Sequence, residues 1–503
     1  MSPQIAIGEW APDNPRIGLA PDLSVCKNLM PVEIGYGSFP TFVPLTIGTT
    51  DAMCKGAASG RERDDTEYLI AGDATKLYSS VGASLTRLGA TTYTTGTKDV
   101  WRFCQYGNRV IAVNYADAPQ MWDFSANCID LSANASNARY CAVVRKFVVL
   151  GNIIGRGAVN SGAIGTLPEG IHWSSYDNST YWPDVQTADA RANQSDFQPL
   201  PGVGGAVQGV LGGLDYGVIF QERAITRLEY VGGDLGFQTH PIERGRGALI
   251  PGSIVGVGAL AFYCSEDGFW MFDGVQSSPI GLGKIDRTIL ADMDQGNYHL
   301  WSSEIIPQSG IVVWLYPSST ANGIPNKLLL YNYKVKKWAT VDFSGDTLVR
   351  STEAGLILDN YGASMDAPPM DMSNLDTFGP AARPTPIGAF NSSHTPGAFS
   401  GYGMACTIET GDTEISPGRI SVVHGIRPVY DPKDGGSVLL AVRSGSRFKP
   451  SSAVTYGNYS LPNDVGICPQ RSAGRYHRMG LSSFGDFERL YAFDVDATDS
   501  GRR

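Results

Sequence analysis

The sequence predicts an all-β protein: a β-propeller of about six blades, preceded by an extended N-terminal arm and followed by a C-terminal antiparallel β-domain. Three observations carry that expectation. Gly 60 and Pro 30 make up 90 of 503 residues while only 17% are charged. That balance disfavours helices, whose interiors lose about 1 kcal/mol per glycine and about 3 per proline and whose outer faces need Lys, Glu and Arg. From residue 66 onward, apolar runs with period-two alternation end in a turn and lead into an aromatic-rich strand. Within these units Tyr78, Trp122, Trp173, Leu228, Met271 and Tyr331 recur at spacings of 44, 51, 55, 43 and 60 residues. A four-stranded blade with loop insertions takes roughly 40 to 50.

Residues 1–60 hold scattered Pro and Gly and few strand runs, and read as an arm that packs on other surfaces. Residues 61–345 hold the repeated pairs: 68–71 with 76–78, 110–113 with 120–124, 147–150 with 170–173, 216–220 with 226–230, 259–263 with 268–272 and 311–314 with 329–333. Within them, 284–293 (KIDRTILADM) is the best helix candidate, a short connector. All nine tryptophans lie at or before Trp338. Residues 346–400, with a Pro, Asp and Met-rich run at 358–396, lack periodicity and read as a linker or surface-wrapping segment. Alternation returns over 401–503, at 404–409, 420–430, 437–443 and 491–495, and predicts a small antiparallel β-domain.

Charge and motifs narrow the function. With 39 basic and 49 acidic residues the formal charge is -10, so no global positive field draws in nucleic acid or an anionic membrane. No stretch approaches 18 consecutive apolar residues, and the N-terminus lacks a basic region followed by an apolar one, so neither membrane insertion nor export is expected. Eight cysteines without a CxxC, several inside apolar runs, read as buried free thiols of a chain made in a reducing compartment. HExxH, GxSxG and GxxxxGK[ST] do not occur, and Gly202, Gly204 and Val207 break a dinucleotide fingerprint at its third glycine. Six histidines, never at ligand spacing, read as surface or hydrogen-bonded side chains. Residues 265–270 (SEDGFW) read as a turn into a core tryptophan. Asp494, Asp496 and Asp499 offer too few oxygens for calcium, which takes about six to eight, and read as an acidic strand. No catalytic residue, cofactor or metal is expected. Basic residues gather late, at Arg443, Arg447, Lys449, Arg471, Arg475, Arg478, Arg489, Arg502 and Arg503, either as a phosphate-facing patch or solvating a β-domain and making intersubunit salt bridges with acids such as Asp412 and Glu414.

Several segments taken together resemble one family. They are 9–13 (EWAPD), 27–31 (KNLMP), 35–37 (GYG), 243–245 (ERG), 252–255 (GSIV), 267–269 (DGF), 279–281 (PIG), 408–412 (IETGD), 474–478 (GRYHR) and 494–503 (DVDATDSGRR). Along nearly the whole chain this resembles the tail hub or nozzle proteins of short-tailed bacteriophages, the class that includes tubular protein B and the packaged-DNA stabilisation hubs. The resemblance implies a non-enzymatic structural protein of the virion tail, made in the host cytoplasm and built around a propeller. It implies a homohexameric ring below the portal and adaptor (the head-tail connector), carrying tail fibres or a needle, through which the genome duplex passes without specific binding. A charge of -10 on each copy suits a bore that repels DNA. On this footing Trp10, Arg475, Tyr476, Arg478, Arg502 and Arg503 are expected at a subunit or adaptor interface. The alternative is a propeller that binds or cleaves glycans, an adhesin or depolymerase, whose mark would be two carboxylates about 5 to 9.5 Å apart in an aromatic groove.

Overall fold

Four antiparallel strands taken in chain order form the repeated unit of the structure, a computed structural model that describes residues 3–14, 21–80, 84–350, 387–433 and 438–500. The first blade runs Ala57–Arg61, Glu67–Gly72, Leu77–Ser79, Thr86–Arg87, and the second Arg102–Gln105, Val110–Val113, Gln120–Trp122, Ile129–Asp130. The third comprises Asn137–Val144, Phe147–Ile154, Thr166–Trp173 and Phe197–Pro199, and the fourth Val207–Leu211, Tyr216–Gln221, Ala224–Gly232 and Gly236–Arg244. The fifth comprises Val255–Val257, Leu260–Ser265, Gly268–Phe272 and Ser277–Pro279, and the sixth Ser302–Ile306, Ile311–Tyr316, Lys327–Asn332 and Lys337–Asp342. First strands of successive blades pack on one another, and so set the inner wall of a propeller. All six sequence anchors fall on the third strand of their blades, which is why their spacing tracks the repeat. All of them are buried except Met271, which is half-buried; on the neighbouring strands of blade six the buried rings of Trp314 and Trp338 stack 5.8 Å apart.

The propeller has seven blades, one more than the sequence predicts. The seventh is Gly345–Arg350, Ile387–Asn391 and Pro396–Gly403, closed on its outer edge by Pro40–Pro44 from near the N-terminus. Gly345–Arg350 packs on both Ser302–Ile306 and Ala57–Arg61, which completes the circle. Two expectations change as a result. Residues 346–400 supply inner strands of a blade where they are described, rather than a linker; 351–386 lie outside the described residues. The first 60 residues are not an arm laid on other surfaces but are woven through their own chain: Pro40–Pro44 closes the last blade and Ala57–Arg61 opens the first. An open blade edge would present unpaired N–H and C=O groups, and a strand drawn from the other end of the chain covers it.

Blade six continues past its own four strands into a nine-stranded sheet. Leu23–Lys27 joins Lys337–Asp342 in parallel, with Lys27 opposite Thr340, and pairs antiparallel with Cys406–Thr410 on its other side. Tyr476–Phe484, Leu439–Arg447 and Thr455–Tyr456 follow. A second sheet runs Leu29–Pro31, Tyr36–Ser38, Phe487–Asp499, Ser421–Pro432, Cys468–Gly474, with Gln4–Ala6 also on Phe487–Asp499. Val423, Ile426, Val442, Met479, Leu481, Phe493 and Val495 fill the space between the two sheets, in one buried cluster continuous with Trp314 and Trp338 of blade six. The C-terminal β-domain is therefore a sandwich whose core runs into that of the propeller.

The helix expected at 284–293 is Asp286–Asp292, between blades five and six. Two further one-turn helices, Asn160–Ile164 and Ala188–Ala192, sit in loops of blade three. Seven of the eight cysteines are buried and all are free. No helix among the described residues is long and apolar enough to cross a membrane.

Candidate functional site

Most of the segments behind the family resemblance meet where the propeller joins the sandwich. Asp13 reaches across to cap the helix Asp286–Asp292: its carboxylate accepts from Arg287 N at 2.7 Å, Thr288 N at 3.1 Å and Thr288 Oγ1 at 2.6 Å. A carboxylate there satisfies orphan N–H groups and meets the positive end of the helix dipole. Lys284 Nζ pairs with Glu9 Oε2 at 2.6 Å, a second tie between the N-terminal segment and the same connector. Between them, Trp10 N donates to the Tyr36 hydroxyl at 2.9 Å, and that hydroxyl donates to Trp338 O at 3.1 Å. Burial holds the Tyr36 phenol well above its ordinary pKa, so it stays a donor.

Asn28 takes a positive φ of 59°, as asparagine tolerates. Its Nδ2 donates to Ala405 O at 2.7 Å, while its Oδ1 accepts from Asp342 N at 2.8 Å. One side chain thus clamps the last strand of blade six to the start of the sandwich. Asn332 Nδ2 adds a bond to Pro31 O at 3.0 Å. On the other face of the helix Asp286 is buried and accepts from Phe269 N at 3.1 Å, in the hairpin of the 267–269 segment and against Gly281 of the 279–281 segment. Burial, with Asp13 and Asp267 nearby, pushes its carboxyl up to about 6.

The 408–412 and 474–478 segments meet on the outer face of the nine-stranded sheet, away from the core between the sheets, as an arginine and carboxylate network. Arg478 Nε donates to Asp412 Oδ1 at 2.8 Å, and Arg447 pairs with the other oxygen of Asp412. Arg443 Nη2 donates to Glu409 Oε2 at 3.0 Å and Tyr456 Oη to Glu409 Oε1 at 2.7 Å. Arg443 also lies 4.2 Å from the centre of the Tyr456 ring and 4.9 Å from that of Tyr459. Register explains the reach. Glu409 and Arg443 both stand opposite Gly480, on the two strands flanking it, and a Cβ at that position would lie 3.1 Å from the Arg443 side chain.

The expected interface residues separate in the structure. Trp10 and Tyr476 are buried within the chain, and Arg478 faces Asp412, so these three make contacts within the chain. Arg475 remains half exposed, paired with Glu414 at 2.9 Å and lying 5.5 Å from the centre of the Tyr476 ring. Arg502 and Arg503 lie outside the described residues. Arg443, Arg447, Arg475, Arg478 and Arg489 pair with acids of their own chain, Asp412 and Glu414 among them, whereas the sequence pointed to phosphates, solvent or neighbouring subunits. Glu409, Arg443, Arg447 and Tyr456 complete the network; the alternation of Arg443 and Arg447 on one strand was its one sequence signal.

The other candidates resolve in detail. His172 is fully buried, its Nδ1 2.8 Å from Ser136 Oγ, and burial pushes it down to about 3. His394 Nδ1 sits 2.6 Å from Asp346 Oδ2 and His477 Nε2 2.9 Å from Ser421 Oγ. The 265–270 turn is present, but its tryptophan is not in the core: Trp270 is half-buried, donates to Asp267 Oδ1 at 2.8 Å and carries Arg246 3.7 Å from its ring centre. Asp499 pairs with Arg419 at 3.2 Å at the end of a long strand. Among the described residues no group of three or more His, Cys, Asp or Glu side chains could hold a metal ion.

No protein-family model and no curated protein matches this sequence. Solved structures that it is similar to include a chain of a mitotic checkpoint complex, at 8% identity over 73% of this chain and 96% of that one, with a TM-score of 0.39. Others are BBS1N from its complex with ARL6DN, at 10% identity over 71% and 96% with a TM-score of 0.39, and Citrobacter koseri AztD, at 11% over 58% and 90% with a TM-score of 0.32.

Proposed function

We propose that this chain is a non-catalytic hub or nozzle subunit of a short-tailed phage tail, assembling as a ring beneath portal and adaptor. The observation that carries the reading is where the family-like segments sit: 9–13, 27–31, 35–37, 267–269, 279–281 and 408–412 all meet at the joint that fixes propeller to sandwich. Motifs that set the angle between two bodies are what a ring-forming subunit requires, since ring closure depends on that angle. The cavities on the propeller axis hold no more than about 200 and 460 Å³. A duplex would therefore pass between subunits rather than through a blade circle.

A face for neighbouring copies is available on the sandwich. Leu439 and Phe484 stand directly opposite one another on adjacent strands and are 61% and 60% exposed, with Phe448, Leu461 and Val465 also exposed elsewhere on the sandwich. Exposed apolar side chains of this size mark interaction surfaces when they cluster. Mass photometry of the purified chain, alone and with portal and adaptor rings, tests the reading. A sixfold species that Leu439→Ser with Phe484→Ser abolishes, while leaving the unfolding midpoint unchanged, is the expected result. A chain that stays monomeric with both partners present would overturn it.

A further inference from the structure

We infer that the propeller axis carries a binding site for a small oxyanion, at the end where the inner strands of the blades begin. The cavity there has a volume of about 460 Å³ and is built from the starts of several blades, with Arg102, Arg139, Gln208, His299 and the exposed Lys98 among its lining residues. Three cations face one carboxylate, Asp99, which pairs with Arg139. This is a local excess of positive charge in a chain whose net charge is -10, and low-dielectric walls focus such a field into the cleft.

Arg102 is the strongest element. Its Nε is buried and makes no hydrogen bond in the structure, although an unpaired buried donor on a charged group is costly. The carboxylate nearest in influence is Glu304 in the adjoining cavity. Burial pushes Glu304 up to about 7, and Arg350 acts on it as well, so it offsets Arg102 only in part at neutral pH. Lys98 has no hydrogen bond or ion pair among the described residues. A guanidinium with a free donor, a second guanidinium, an exposed ammonium and an amide around one cavity, whose other walls are largely apolar, are the donor set that recognises carboxylate or phosphate oxygens. His299 senses the same field. Burial chiefly, then Lys55 and Lys98, hold it neutral against Asp99 and Asp294, so an anion bound beside it would raise its midpoint.

The test is a proton NMR titration of His299 in the full chain with inorganic phosphate, and separately with glucuronate, against sodium chloride at equal ionic strength. Saturable displacement of the His299 signal with a raised midpoint is expected. The tighter of the two probes tells whether the site takes a free tetrahedral anion or a sugar carboxylate. Lys98→Ala, on an exposed side chain, is expected to weaken binding about tenfold without loss of fold, and Arg102→Gln to weaken it further. If neither probe shifts His299 beyond the chloride control, or if Lys98→Ala and Arg102→Gln both bind as the parent does, the site does not exist.

Discussion

At Asp286 a single carboxyl couples the joint to pH. It titrates near 6 in the folded chain, against about 3.9 for a free aspartate. The folded state holds this proton more tightly than the unfolded state, so the contribution to stability is fully present below pH about 4 and is lost as pH rises through 6. Asp286→Asn keeps an acceptor for Phe269 N and removes the charge. Stability at pH 7.5 is expected to rise by about 2 kcal/mol, with a flatter dependence between pH 4 and 7. Urea midpoints across that range decide it, and an unchanged slope would contradict the assignment. Asp412 makes the opposite case. It is 5% exposed and holds both Arg447 and Arg478, so Asp412→Ala takes the shared carboxylate from two partly buried guanidinium groups and is expected to cost about 3 kcal/mol. A loss under 1 kcal/mol in the same measurement would show that water replaces the carboxylate.

At the scale of elements, the turn into Tyr36–Ser38 shows how narrowly the N-terminal weave is set. Gly35 has a φ of +77°, and a Cβ there would lie 2.0 Å from Leu490 O. Gly35→Ala is expected to cost more than about 2 kcal/mol, whereas Gly107→Ala, at φ +55° with open space around it, is expected to cost about 1 kcal/mol. Equal losses, read by calorimetry, would mean that backbone conformation alone matters. Six blades were legible because each third strand brings an aromatic or large apolar side chain to an equivalent place. The seventh was not, since its strands come from 345–350, 387–391, 396–403 and 40–44, and no local period links them. The weave is illegible for the same reason: strands of three to five residues, such as Leu23–Lys27, carry little alternation and take their register from partners more than 300 residues away. Of the interface residues, acid partners for Arg475 and Arg478 were legible from composition, but not that those acids belong to the same chain. The burial of Trp10 and Tyr476 depends on tertiary neighbours that no local pattern reveals.

Across the whole molecule, one continuous sheet and one continuous core make propeller and sandwich a single body. The angle between them is then fixed before any neighbour arrives, which lowers the ordering cost of assembly. On the reading proposed above, the exposed pair Leu439 and Phe484 and the half-exposed Arg475 serve contacts between copies, and the acidic balance of the chain serves the bore. Cryo-electron microscopy of the purified protein, alone and mixed with portal and adaptor rings, tests this most directly. A sixfold ring with an acidic channel wide enough for duplex DNA, its subunits touching through the sandwich, is the expected result. A persistent monomer with two carboxylates about 5 to 9.5 Å apart in an aromatic groove would contradict it and make the chain a glycan-cleaving propeller.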